Sequence, residues 1–157
     1  MKRFTTTLLL LYLLLGNFDL WSQQDWSWRK HLKAAESALQ GKNYRQAAIH
    51  YEAAWLKKSK IDLCFNAAEA YALARHYEKA ALYYQQVLED GTTAYPYLGI
   101  KYARALKQSE QYPAAISAFK DFISLYNGEG KEVLQEIVQT EIAGCQLNET
   151  SANAEVI

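Results

Sequence analysis

Most signs of a catalyst, a membrane span or a nucleic-acid binder are missing from this chain. It holds no GxSxG, no HExxH and no phosphate-binding glycine loop, and no pair of carboxylates marks an evident cleft. Nothing therefore points to an enzyme. Cysteine occurs only twice, at Cys64 and Cys145, with no CxxC. The three histidines (His31, His50 and His76) show no ligand spacing with them, so no metal site and no cofactor is expected. Charge of one sign is also lacking: 17 basic residues face 17 acidic ones, interspersed along the chain. That balance argues against affinity for nucleic acid or an anionic membrane.

Long apolar runs are absent too. A spanning helix needs about 20 apolar residues, and the longest run here is residues 8–15. Lys2 and Arg3 precede it, and Gly16, Asn17 and Asp19 end it. This is the layout of a cleavable secretory signal over residues 1–22, with Ser22 at the exit and cleavage after Gly16 as the rival. No cysteine stands close after the run, the nearest being Cys64, which speaks against a lipid anchor. The expected product is exported to the periplasm, has no membrane span after signal cleavage, and carries one domain over residues 23–147. The polar stretch 148–157 reads as a tail or linker that buries no core. The two cysteines fall in different hairpins, too far apart to bridge, and read as free, buried, small apolar residues.

What the sequence does have is a repeat. Tyr44, Ala47, Tyr51 and Ala54 are followed by Tyr77, Ala80, Tyr84 and Val87, then by Tyr112, Ala115, Phe119 and Phe122. The copies are offset by 33 and 35 residues. A period of roughly 34 residues with this pattern predicts stacked helical hairpins. The small residues let the two helices of a hairpin cross closely, and the aromatics fill the space between hairpins. The first hairpin is expected over 28–57, broken at Gly41 with Asn43 as an N-cap. The second runs over about 60–89 and ends at Asp90–Gly91. In the third, Pro96 and Pro113 each suit the first turn of a helix. After Gly128 and Gly130, a closing helix is expected over 131–147 to cover the last apolar face. Trp26 and Trp28 are expected to cover the first face, with anchoring at a surface as the alternative. Within this pattern His76 caps a helix, His50 faces outward, and Tyr83, Trp55 and Tyr97 form exposed aromatic surface that would suit self-association.

The pattern resembles the tetratricopeptide repeat, over about residues 28–126. Placing Tyr44, Tyr77 and Tyr112 at the family's position 17 puts Ala35, Ala68 and Ala103 at its small position 8. The departures are Phe122 at a small position and the lack of the family's usual Trp and late Pro. The resemblance implies an all-α, right-handed solenoid of three helical hairpins plus a C-terminal capping helix. It also implies a groove, lined by the first helix of each hairpin, that binds a protein partner. Carried over position by position, the partner-binding groove holds Lys33, Glu36, Phe65, Asn66, Glu69, Tyr97, Lys101 and Arg104. Its signs differ along the array: Glu36, Asp62 and Glu69 lie toward one end, Lys101, Arg104 and Lys107 toward the other. The family's carboxylate clamp for chaperone termini falls on Leu32, Glu36, Asn66, Tyr97 and Lys101, of which only Asn66 and Lys101 suit it, so that reading is rejected.

The stretch from the signal through the closing helix also resembles the N-terminal repeat segment of Gram-negative envelope proteins. In those, a β-propeller-like module and a peptidoglycan-binding OmpA-like domain follow. This resemblance implies an adaptor or scaffold at the outer membrane, with a secretion or gliding assembly as partner. The alternatives are a self-associating structural subunit and the N-terminal piece of a larger peptidoglycan-linked protein.

Overall fold

The computed structural model describes residues 26–154, with side chains through Thr150, so the expected secretory signal over 1–22 lies outside the described residues. Helix after helix, it follows the turn chemistry of the sequence. The order is α1 (Trp28–Gln40), α2 (Tyr44–Lys57), α3 (Ile61–Leu73), α4 (Tyr77–Glu89), α5 (Leu98–Gln108), α6 (Tyr112–Leu125) and α7 (Lys131–Ala154). Each helix packs against the next in sequence, which makes three antiparallel hairpins and a final helix. No helix among the described residues is long and apolar enough to cross a membrane.

The turn inside each hairpin is the same object three times. The amides of Lys42, Arg75 and Glu110 donate to the carbonyls of Leu39, Ala72 and Lys107, and the amides of Asn43, His76 and Gln111 donate to Ala38, Tyr71 and Leu106. This paired closure is the Schellman arrangement, and it needs a left-handed residue between. Lys42, Arg75 and Glu110 take that place at φ 57°, 59° and 62°. The left-handed residue in the first turn is thus Lys42, one position beyond Gly41. Asn43 does cap α2, its side chain accepting from the Gln46 amide at 3.3 Å. His76 occupies the N-cap place of α4 without a side-chain cap bond, and its ring instead meets Tyr71 edge-on at 6.2 Å.

Inside the array, Ala47, Ala80 and Ala115 are fully buried, and Tyr51, Tyr84 and Phe119 fill the space around them. These small and large positions are where the repeat pattern puts them. Cys64 and Cys145 are free and buried, in α3 and α7. Two interior residues were misplaced by the pattern. Tyr83 is buried, stacked on Tyr71 at 5.6 Å with Trp55 edge-on to it. Its hydroxyl donates to Glu52 at 2.6 Å, which ties α4 to α2. His50 is buried against His31, Nδ1 to Nδ1 at 3.3 Å, and Trp26 stacks on its ring. Trp26 is therefore the cover of this first face, and the cover is what turns His50 from an outer residue into an inner one.

Two further differences concern helix ends. Pro96 lies before α5 in the connection 90–97, because α5 starts only at Leu98. The last helix continues past Leu147 to Ala154, through residues expected to form a tail. The segment has no glycine or proline to stop it, and Thr150 bonds back to the Gln146 carbonyl. Along α7, Val138 and Cys145 are buried on the array, while Glu136, Gln139 and Gln146 are exposed together with Val133, Ile137 and Leu147, so the helix closes the apolar stack with a mixed outer side.

Candidate functional site

The first helices α1, α3 and α5 share one face with α7. Side-chain bonds cross it in rungs. Lys101 on α5 holds both oxygens of Glu69 on α3 at 2.8 Å. Arg104 and Lys107 on α5 hold the two oxygens of Glu141 on α7 at 2.9 and 2.7 Å. Burial pushes the Glu141 carboxyl up, but the hydrogen bonds and charges of Lys107 and Arg104 outweigh it and leave the group below its usual range. The three cations of the basic end are thus engaged with carboxylates inside the molecule, Lys101 with Glu69, and Arg104 and Lys107 with the single Glu141. Glu141 was not foreseen as part of this face. Its separation of 37 residues from Arg104, close to one repeat, is the signal that could have found it.

The structure brings together Phe65, Glu69 and Lys101. Phe65 stacks on Tyr95 at 3.8 Å, and the Lys101 ammonium lies 5.8 Å from the Phe65 ring centre. Tyr84 donates to Glu69 at 2.5 Å from beneath. Tyr95 donates to Asp62 at 2.6 Å, an added tie between the connection 90–97 and α3. Asn66 is half-buried on the same helix as Phe65 and Glu69, and its amide makes no hydrogen bond among the described residues and is open to solvent. Lys33 and Glu36 are exposed on α1, and neither joins an ion pair among the described residues. Tyr97 stands apart at the start of α5, stacked on Tyr126 at 5.9 Å. Arg104 is tied to α7 as described. A shallow hollow of about 180 Å³ opens on this face between Ala72, Tyr84, Lys101 and Ala105.

The opposite face carries a larger feature that the repeat pattern does not show. A cleft of about 950 Å³ lies between the connection 90–97 and α6, with α5 as its floor and Leu88 of α4 at its edge. Leu98, Gly99 and Tyr102 form that floor, Phe122 and Tyr126 close one side, and Ala114, Ser117, Ala118 and Asp121 form the α6 wall. The turns inside the hairpins and the link between α2 and α3 use three residues, whereas α4 and α5 are joined by eight, residues 90–97. Thr92, Thr93, Tyr95 and Pro96 of that longer connection line the cleft mouth.

No protein-family model matches the chain, and no curated protein does. Solved structures do. The TPR2AB domain of yeast Sti1, in its pHSP90 complex, superposes with a TM-score of 0.55 at 16% identity, over 82% of this chain and 50% of that one. The chain thus spans about half the length of that structure. The Arabidopsis OM64 TPR domain superposes with a TM-score of 0.56 at 16% identity, over 74% of this chain and 97% of the other. With its three helical hairpins and closing helix, the chain has the tetratricopeptide-repeat fold, a helical solenoid.

Proposed function

We propose that this chain is an exported adaptor of the cell envelope that holds a segment of a partner protein on its first-helix groove, and that it is not an enzyme. The observation that carries the groove reading is Asn66. The residue is half-buried on α3, the middle one of the three first helices, and its amide hydrogen bonds are unmade among the described residues. One donor and one acceptor on a rigid helix suit the backbone of an extended or helical peptide. Lys33, Glu36 and Arg104 would frame the segment. A chaperone-type terminal carboxylate is a poor fit, since Lys101 already holds Glu69 and Glu36 would repel it.

The envelope setting rests on residues 1–22 and on the resemblance to the repeat segment of OmpA-like envelope proteins. An outer-membrane, secretion or gliding component is the partner this setting supplies. The test is in-cell photocrosslinking with the probe at position 66 or 36, and separately at exposed Lys120 as a control. One envelope protein captured at the groove positions and not at the control is the expected result. A protein retained unprocessed in the cytoplasm, or capture equal at all positions, would overturn the proposal.

A further inference from the structure

The cleft on the second-helix face has a chemistry of its own. Its volume falls in the range of ligand-holding clefts, about 300–1,000 Å³. Its floor is aromatic and aliphatic, and no lysine, arginine or histidine lines it. Acid surrounds it. Asp121 stands in the wall. Glu89 lies close enough to Tyr102 for its charge to add to burial in raising that phenol's pKa. Glu129 adjoins Tyr126, whose hydroxyl donates to the Glu129 carbonyl at 3.2 Å. None of these three carboxylates joins an ion pair among the described residues. The α6 wall is low, because Ala114, Ser117 and Ala118 share one helical face, and packed helices need only about 8–10 Å between axes. Exposed Leu88 and Leu125 stand at the rim.

We propose that this cleft takes a basic amphipathic helix of a partner protein, with its apolar side chains on the aromatic floor and its lysines or arginines against Asp121, Glu89 and Glu129. The site is separate from the groove and does not depend on it. Apolar floor supplies affinity, and the unpaired acid selects sign.

The test uses the full chain and two labelled synthetic helices with leucine at i, i+3, i+4 and i+7. One carries lysine at its polar positions and the other glutamate. Fluorescence anisotropy should show the lysine helix binding at least about tenfold tighter, the equivalent of one ordinary step in affinity. Ser117→Trp, which fills the cleft from an exposed position, should remove that binding with the helical spectrum and melting curve intact. Asp121→Lys should narrow the gap between the two helices, and Asn66→Ala should change neither. Equal binding of both helices overturns the charge assignment even if Ser117→Trp abolishes it. Binding indifferent to Ser117→Trp overturns the site. A concentration-dependent dimer in sedimentation that Ser117→Trp dissolves shows a second copy as the occupant, and also overturns the proposal. A failed capture at position 66 with these results intact would condemn the groove reading alone.

Discussion

Gly99 is the tightest point of the third hairpin. A Cβ there would meet Phe122 Cδ2 at 2.9 Å and Cβ at 3.0 Å. Gly99→Ala should therefore cost roughly 1–3 kcal/mol by overpacking, and the double variant with Phe122→Leu should cost less than the sum. Urea melts of the three proteins check this, and additivity within error would refute the contact. Acid sensitivity belongs to the same scale. Burial pushes the Glu52 carboxyl up, but hydrogen bonds from Tyr71 and Tyr83 and the Lys79 charge together leave it below the usual 4.5. The ionised carboxylate thus stabilises the fold above that value, and the stabilisation is lost as pH falls through the lower, folded value. Glu52→Gln should lower stability at pH 7 and flatten the slope of stability against pH below 4.5. An unchanged slope would mean another carboxylate governs it. Burial likewise pushes the Cys64 thiol up to about 11, so it should resist thiol reagents at pH 8 until the protein unfolds.

At the scale of elements, the Schellman turns offer a direct measurement. Arg75 holds a left-handed backbone at φ 59° that costs a non-glycine residue free energy. Arg75→Gly should raise stability by roughly 0.5–1 kcal/mol, and a lowered denaturation midpoint would show that the Arg side chain has a role beyond the turn. The last helix divides at Cys145, its last buried residue among those whose side chains are described. A chain stopped after Leu147 should melt within about 0.5 kcal/mol of the full chain. A chain stopped after Gly130 uncovers the inner side of α6 and should lose its cooperative transition. These elements were largely legible. Tyr44, Tyr77 and Tyr112 begin the second helices, and Lys57, Glu89 and Leu125 end them, because turns and repeat positions are local properties of the sequence. The start of α5 and the end of α7 were not, since nothing at Pro96 or Leu147 forces a stop or start.

For the whole molecule, what was hidden is what depends on two distant elements at once. His50 needed Trp26 above it, and Tyr83 needed Glu52 from another hairpin. The groove residues were assignable from the repeat, yet their pairing was not, because Glu141 comes from a helix outside the pattern. The cleft was invisible for the same reason: it arises where the connection 90–97 and α6 meet over α5. Nearest-neighbour packing makes stability a sum along the array, with the central hairpin supported on both sides. Amide hydrogen exchange should accordingly be slowest in α3 and α4 and faster toward α1 and α7. Slowest exchange in a terminal helix would contradict nearest-neighbour stacking.

The eight-residue connection between α4 and α5 has a consequence for cutting and rejoining the chain. It contains no lysine or arginine, and Asp90, Gly91, Thr93, Ala94, Pro96 and Tyr97 are all exposed. A broad-specificity protease should nick the native protein there before any other described segment. The two pieces would still share the α4–α5 packing and the Lys101–Glu69 bond, so they should elute together at the size of the intact chain. The protein is in that sense a ready-made split pair, whose halves could carry separate cargoes and be read out by their reassembly.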